Sequence, residues 1–281
     1  MSQKKGFLSM NEIVKYDNFL NSLSLKGFSS DELDMLMVLC QKARDQDEAV
    51  LEIPFSEIKA LANLQKNKTI KQFKESLDVM NKKLCQVVCK LENGPETIFF
   101  VLFPTFGANY DTQTLRIRVN TDFKFVLNSL TKNFTRFELA EFTHLSSKYA
   151  KNLYRQLKQF RRTGEFKKSI EEFRELMDCP SAYTNKRFTD NCINPAVEEL
   201  KQVGYFEKLN IEFVKAHKRG APITHVIITF KADDQIPGQM RLEDLSAEPS
   251  IPKTAKKNSF NDFPQRNDYN FKEIERQILA N

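Results

Sequence analysis

The 281-residue sequence has only 8 glycines and 3 histidines, and it lacks the motifs on which several classes of enzyme depend. There is no G-x-x-x-x-G-K-[ST] phosphate-binding loop, so we do not expect the chain to hydrolyse ATP. His144, His217 and His225 form no pair with the spacing of metal ligands. The sequence therefore predicts no cofactor site, no metal site and no catalytic site.

Cysteines and long apolar runs are also scarce. The 5 cysteines are scattered, mostly at apolar helical positions, which predicts reduced thiols in a reducing cytoplasm. No run approaches the roughly 20 apolar residues that span a membrane, and the N-terminus has no signal-peptide core. Hydrophobic residues make up 41% of the chain, which is enough for the cores of two domains. The net charge of +6 permits a polyanionic partner without requiring one.

The first part of the chain alternates helical and extended patterns. Ser29 and Glu32 form a capping box for a helix that we expect to reach about Arg44, and residues 50–55 predict a short strand. Ser56 is predicted to cap a brief helix. Apolar residues spaced 3, 4, 3 and 4 apart then predict a long helix from Ile70 to Leu84.

Strand patterns follow this helix. Residues 86–91 and 97–102 flank Glu92-Asn93-Gly94-Pro95, which is a hairpin signal, and residues 115–119 alternate apolar side chains with Arg116 and Arg118. Helix, strand, helix-turn-helix and hairpin is the order of a winged-helix domain. A generic α+β domain is an alternative that periodicity alone does not exclude.

A short internal sequence repeat predicts that the module occurs twice. Phe28-Ser29-x-x-Glu32-Leu33 returns as Phe134-Thr135-x-x-Glu138-Leu139, each time just before an apolar helical stripe. We therefore predict an α+β, mostly α chain with two tandem winged-helix domains, at residues 1–130 and 131–235. The polar, proline-containing composition that follows predicts a flexible linker with a short terminal amphipathic helix at residues 236–281.

Residues 169–203 carry the helix-turn-helix pattern of the second module. Ser169 and Glu172 form a capping box, Pro180 breaks the chain, and a second helix begins near Thr184, which Pro195 is predicted to kink or end. Its polar face suits a major groove, because Arg and Lys bond guanine, Asn bonds adenine and Thr contacts thymine. A solvated helix pair of an all-α protein fits this pattern equally well. The candidate base-reading residues are Asn185, Lys186, Arg187, Thr189, Asp190, Asn191 and Asn194.

Basic residues predict contacts with DNA phosphates. A helix predicted at 147–162 carries a stripe of Lys and Arg three and four residues apart, an arrangement that destabilises an isolated helix and that a phosphate backbone would offset. A solvated basic face is the common alternative. Strands predicted at 211–216 and 224–230 flank a basic turn, a candidate wing. The candidate phosphate contacts are Lys148, Lys151, Arg155, Lys158, Arg161 and Arg162, with Lys218 and Arg219 in the wing and Lys66, Lys68, Lys71 and Lys74 in the first domain.

Several segments resemble the replication-initiator (Rep) proteins of iteron-containing theta-replicating plasmids. They are NEIVKYDNFLNSLSLKGFSSDELDMLMVL, LFPTF at 102–106, FTRFELAEF, SSKYAKNLYRQLKQFRRTG at 146–164, and SIEEFRELM. The resemblance covers about residues 11–231 and implies two winged-helix domains that bind repeated origin sites as a monomer and help to open the duplex. It also implies dimers, formed through the first domain, that repress the protein's own gene, and recruitment of the host initiator ATPase and replicative helicase.

We therefore expect a non-enzymatic plasmid replication initiator of the bacterial cytoplasm. Its expected partners are double-stranded origin DNA, a second copy of the chain and host replication proteins, with no membrane partner and no cofactor. A plasmid-encoded winged-helix repressor is the first alternative. A strand-nicking rolling-circle initiator is the second, although the His-apolar-His cluster that such an enzyme would want is missing. Two winged helices on one DNA face predict a site of about 20 bp.

Overall fold

The computed structural model of the chain describes residues 12–46, 50–64, 69–121, 124–128, 130, 132–216 and 222–233. The linker and terminal helix expected at 236–281 lie outside these ranges, and so do four candidate DNA contacts, Lys66, Lys68, Lys218 and Arg219. All of the described residues belong to one structural unit.

The first winged-helix domain follows a short strand and a short helix at the start of the described chain. A three-stranded antiparallel sheet in the order β2–β6–β5 packs with α3 and α4, α2 packs with α3, and the hairpin β3–β4 is inserted between α4 and β5. The elements are β1 (Ile13–Asp17), α1 (Phe19–Ser22), α2 (Ser30–Ala43), β2 (Leu51–Pro54), α3 (Phe55–Leu61), α4 (Ile70–Leu84), β3 (Val88–Asn93), β4 (Glu96–Val101), β5 (Thr105–Asn109), β6 (Thr114–Arg118) and α5 (Lys124–Leu127).

Local caps and apolar spacing account for the two long helices of this domain. The Ser29–Glu32 capping box opens α2 as predicted, and a second box formed by Thr69 and Gln72 opens α4. On α4 the predicted apolar positions from Phe73 onward are buried, whereas Ile70 is half exposed. The helix therefore has one buried stripe, which begins at Phe73, and its opposite side is open to solvent.

Three predictions for the first domain need correction. Pro54 is the N-cap of α3 and makes no side-chain cap, so Ser56 lies inside the helix. The helix starts one residue earlier because Phe55 is buried against Phe73, with ring centroids 5.2 Å apart. The hairpin is shifted as well, since Asn93 pairs with Glu96 and leaves Gly94 and Pro95 as the turn. Strand β5 was not predicted from the pattern.

The second winged-helix domain repeats the element order of the first. Its sheet has the order β8–β10–β9, so the last strand again lies in the middle, as β6 does in the first domain. Its elements are β7 (Phe134–Glu138), α6 (Leu139–His144), α7 (Lys148–Gln159), β8 (Glu165–Ser169), α8 (Ile170–Leu176), α9 (Asn185–Phe188), a π-helical stretch (Thr189–Ile193), α10 (Asn194–Val203), β9 (Asn210–Lys215) and β10 (Ile223–Thr229).

The module does occur twice, but the short sequence repeat that suggested it does not mark equivalent positions. Ser29 caps the first helix of its module, whereas Thr135 lies in β7 and pairs with Tyr16 of β1. The counterpart of α2 is α7, because each is followed by a strand, a helix-turn-helix and the remaining strands of a sheet. Pairing of β1 with β7, together with contacts between α7 and α2, joins the two domains.

Candidate nucleic-acid interface

The helix after the turn of the second domain presents the predicted polar face. Phe188, Cys192, Ala196 and Leu200 are fully buried and form the inward side of this helix. Thr184 caps the helix by accepting a hydrogen bond from the backbone N–H of Arg187 at 3.3 Å. The structure brings the candidate base-reading residues together on the outer side: Asn185, Lys186, Arg187, Asp190, Asn191 and Asn194 are exposed, and Thr189 is partly exposed.

Pro195 does not end this helix. A proline cannot donate the bond to the carbonyl four residues back, which would be that of Asn191. The chain adapts through the π-helical stretch, where the Asn194 N–H bonds instead to the carbonyl of Thr189, five residues back. The helix then continues as α10 to Val203, and Gly204 ends it at φ +72°. The polar face therefore lies on a helical segment that carries a π bulge at its centre.

Arg174 of α8 holds the start of this helix in place, a role that the sequence did not reveal. Its guanidinium donates to the carbonyls of Tyr183, at 2.5 Å, and Pro180, at 3.4 Å, in the connecting turn. The same group donates to Asn185 Oδ1 at 3.4 Å and lies over the ring of Phe188, 5.0 Å from its centroid. Arg174 thus orients one of the candidate base-reading side chains without being part of the polar face.

The basic stripe predicted on α7 is mostly an internal feature. Lys151 is 1% exposed and Arg155 is 2% exposed, because both lie between α7 and the first domain. Lys151 Nζ pairs with Asp34 Oδ2 at 2.5 Å and reaches the carbonyl of Ser30. The assignment of Lys151 and Arg155 to phosphate contacts is therefore wrong for this structure: a charge buried in the protein cannot meet a phosphate at the surface.

Burial dominates the electrostatics of this pair. Desolvation raises the pKa of Asp34 to about 7, although the neighbouring Lys151 opposes the shift. Desolvation also lowers the pKa of Lys151, again against the effect of its partner. Among the residues that the structure describes, Asp34 Oδ1 and two nitrogens of Arg155, Nε and Nη1, find no hydrogen-bond partner. The contact between the domains thus contains charged groups that are costly to bury.

Other members of the stripe have acidic partners. Lys148 pairs with Asp178 at 2.7 Å, and Lys158 pairs with Glu141 at 2.7 Å. Arg161 is partly buried and donates to a backbone carbonyl, and its burial lowers the pKa of the guanidinium. Arg162 is exposed and stays a candidate phosphate contact. The regular spacing of Lys and Arg revealed the basic residues of α7, but their acidic partners lie elsewhere in the sequence and gave no local signal.

In the first domain, α4 presents the candidate lysines. Lys71 and Lys74 are exposed on its first turns, and the ammonium of Lys74 lies 4.4 Å from the ring centroid of Tyr110. Tyr110, which follows β5, also donates to Asp78 of α4 at 3.4 Å. The turn between β5 and β6 therefore packs against the exposed helix, and Arg116 and Arg118 of β6 are exposed as predicted.

Among the residues that the structure describes, no helix combines the length and the apolar character that crossing a membrane would need. Within the same residues, no three His, Cys, Asp or Glu side chains form a group that could hold a metal ion.

The geometry defines a tandem winged-helix protein in which the last helix of each helix-turn-helix is open to solvent. A family model described as "Initiator Replication protein, WH1" matches residues 13–158, and one described as "Initiator Rep protein, WH2" matches residues 169–230. The first match alone covers more than half of the chain. The chain therefore belongs to the family of initiator replication proteins, which confirms the resemblance found in the sequence.

A curated relative supports the same placement, and a solved structure supports the fold. The chain is 39% identical over 191 residues to a "Probable replication protein rep" of Bifidobacterium longum (strain NCC 2705), a match that covers 67% of this chain and 64% of that protein. The match thus spans slightly less than two thirds of the relative's length. In fold, the chain is similar to the Pi initiator protein, solved in complex with iteron DNA, with a TM-score of 0.60 and 18% identity over 81% of this chain and all of that one.

Proposed function

We propose that the protein is a plasmid replication initiator that binds directly repeated origin DNA (iterons) and promotes opening of the origin. The observation that carries this proposal is the exposed polar face at residues 185–194, on the helix that follows the turn of a winged-helix domain. Membership of the initiator family supports it, and so does the likeness to a protein solved with iteron DNA. No catalytic residue is assigned, and energy-dependent steps fall to host proteins.

The two domains have different tasks in this proposal. Arg187 and Asn191 carry groups that bond base edges in a major groove, so the second domain selects the sequence. Lys71 and Lys74 of α4 and Arg162 near the second sheet provide positive charge for phosphates, which adds affinity without selectivity. Two helices that enter successive major grooves on one DNA face would cover about 20 bp.

We further propose that the chain forms dimers through the first domain and represses its own gene in that state. The hairpin β3–β4 is a two-stranded sheet, and Val88 and Phe99 are 54% and 65% exposed. A strand edge next to exposed apolar side chains favours association with another strand. Contacts with the host initiator ATPase and the replicative helicase complete the proposal and follow from the family resemblance.

A DNase footprint on the DNA that flanks the protein's own coding region tests the proposal. We expect protection of regularly spaced direct repeats, each about 20 bp long, that persists when the salt concentration is raised although affinity falls. Protection of only a palindromic promoter, with no support of replication by a plasmid that carries the flanking DNA, would instead identify a repressor. A covalent tyrosyl adduct on supercoiled DNA would identify a strand-nicking enzyme.

A further inference from the structure

One glycine connects the two helix-turn-helix units. The backbone N–H of Gly27, in the loop before α2, donates to Asp178 Oδ2 at 3.0 Å, and its carbonyl accepts from Lys83 Nζ at 2.7 Å. Asp178 comes directly after α8, in the turn that leads to the polar helix of the second domain. Lys83 lies in the last turn of α4, the exposed helix of the first domain. A single peptide segment thus joins the supports of both candidate DNA-reading helices.

Both ends of this bridge are held by further ionic contacts. Lys83 Nζ also pairs with Glu32 Oε2 at 2.6 Å, and the side chain of Glu32 is only 7% exposed. Asp178 Oδ2 also accepts from Lys148 Nζ at 2.7 Å, and the Asp178 side chain is 12% exposed. Hydrogen bonds that involve a charged group are shorter and stronger than neutral ones. Each end of the bridge is therefore oriented by a second, ionic contact.

The backbone at both bridging positions is adapted to the contact. Gly27 has φ +78° and Asp178 has φ +50°, which places both residues in the left-handed region that glycine and aspartate tolerate best. A different buried pair, Lys151 with Asp34, joins α7 to α2. That pair joins the first helices of the two modules, whereas the Gly27 bridge connects to α4 and to the turn after α8.

We propose that Asp178 and Lys83, acting through Gly27, fix the distance and the angle between the two DNA-reading helices and thereby make the protein selective for the spacing between its two half-sites. The inference rests on the proposed function, since it needs both helices on one DNA site. Duplex DNA turns once in about 10.5 bp, so one inserted base pair rotates a half-site by about 34° and moves it by about 3.4 Å. A rigid protein cannot follow that displacement, and without the bridge the two helices are held relative to each other only through the β1–β7 pairing and the α2–α7 contact, which we expect to give them more freedom to follow it.

Two variants each remove one of the two hydrogen bonds of the bridge, one by a change in the second domain and one by a change in the first. Asp178→Gly removes the carboxylate at a left-handed position just after a helix, where glycine is the preferred residue. Lys83→Met removes the ammonium and keeps a helix-forming side chain of similar length. Glu175→Ala is the matched control, because it removes an exposed carboxylate from α8 and changes the net charge by the same amount as Asp178→Gly. None of these residues is among the assigned DNA contacts.

The experiment measures the dissociation constant of full-length protein for its footprinted site and for sites with one base pair inserted or deleted between the half-sites. We expect wild type and Glu175→Ala to lose about tenfold or more in affinity on altered spacing, because the DNA must be twisted to fit. Asp178→Gly and Lys83→Met should bind the original site within about threefold of wild type and lose only about threefold on altered spacing.

Each alternative outcome has a distinct meaning. The inference is overturned when folded Asp178→Gly or Lys83→Met shows the wild-type spacing penalty, or when wild type itself tolerates the insertion. Failure of wild type to prefer its own site over random DNA would instead overturn the proposed function. Thermal unfolding of each variant identifies the folded ones, and since the substitutions lie in different domains, either one alone decides the question.

Discussion

The two winged-helix domains share an element order and a sheet order but differ in what they expose. In the first domain, α4 is an unbroken helix of 15 residues whose exposed turns carry lysines, and the inserted hairpin exposes Phe99. In the second domain, the equivalent helix contains a π-helical stretch and exposes Lys186 and Arg187 together with Asn185, Asn191 and Asn194. Lysine and arginine attract phosphates and can also bond guanine, and asparagine adds a group that bonds adenine. The duplicated fold thus carries two different surface chemistries.

The two domains can contact one DNA site together only if they act as one body, and Lys151→Ala tests whether they do, with the largest expected effect. Removing one partner of a buried ion pair leaves the other charge uncompensated, so the free energy of unfolding should fall by about 3–5 kcal/mol. Urea denaturation followed by circular dichroism measures the change.

Two control variants show where the effect originates. Lys151→Met combined with Asp34→Leu removes both charges, and we expect most of the lost stability to return. Lys148→Ala removes a more exposed member of the same helix and should cost less than about 1 kcal/mol, because water screens that pair. A stable Lys151→Ala variant with weakened DNA binding would contradict the burial and restore the phosphate assignment.

Substitutions on the second domain should change selectivity. Arg187→Ala and Asn191→Ala each remove a group assigned to a base edge, so the preference for the specific site over random DNA should fall by about 1–3 kcal/mol per contact. Competition binding with single-base variants of the site measures this preference. The affinity for random DNA should change much less for Asn191→Ala, since asparagine is neutral, and Glu175→Ala is again a suitable control.

Substitutions on the first domain should change affinity without selectivity. Lys71→Ala and Lys74→Ala should weaken binding to all sequences alike and lower the slope of log K against log salt concentration by about one for each lost phosphate contact. Titrations at several salt concentrations, on specific and random DNA, provide both quantities. A change of base preference in these variants would mean that α4 also reads sequence, and the division between the domains would not hold.

Local patterns predicted most of the helices and the polar face, and the reason is physical. Capping boxes and apolar spacing act within a few residues, so the starts of α2, α4 and α8 were visible in the sequence. The burial of Lys151 and Arg155 depends on packing against the first domain, more than a hundred residues away, and no short pattern reports it. The pairing of β1 with β7 is a long-range contact of the same kind.

Two local rules compete at Pro195. Its missing donor predicted a kink or an end of the helix, and the helix does not end there, because the buried positions Cys192 and Ala196 on either side favour a continuous helix. The π-helical stretch satisfies both requirements. Arg174 was missed since its partners in the turn are backbone carbonyls, which any residue type supplies.

The smallest predicted effect is a difference between the two domains in how the stabilisation by a capping box depends on pH. Thr69 with Gln72 and Ser169 with Glu172 are capping boxes of the same geometry, so Thr69→Ala and Ser169→Ala should each cost about 1 kcal/mol at neutral pH. Only one box titrates: hydrogen bonds from the backbone and the hydroxyl of Ser169, together with the charge of Lys168, lower the pKa of Glu172.

A lowered folded-state pKa gives stability that is present above the ordinary pKa of a glutamate and is lost as the pH falls through the lowered value. The cost of Ser169→Ala should therefore shrink in acid, whereas the cost of Thr69→Ala should stay constant because Gln72 has no charge to lose. Unfolding free energies of the two variants and wild type, measured at neutral and acidic pH, give this comparison. Glu172→Gln should abolish the difference, and an equal acid response in both boxes would show that the charge on Glu172 contributes nothing to the second one.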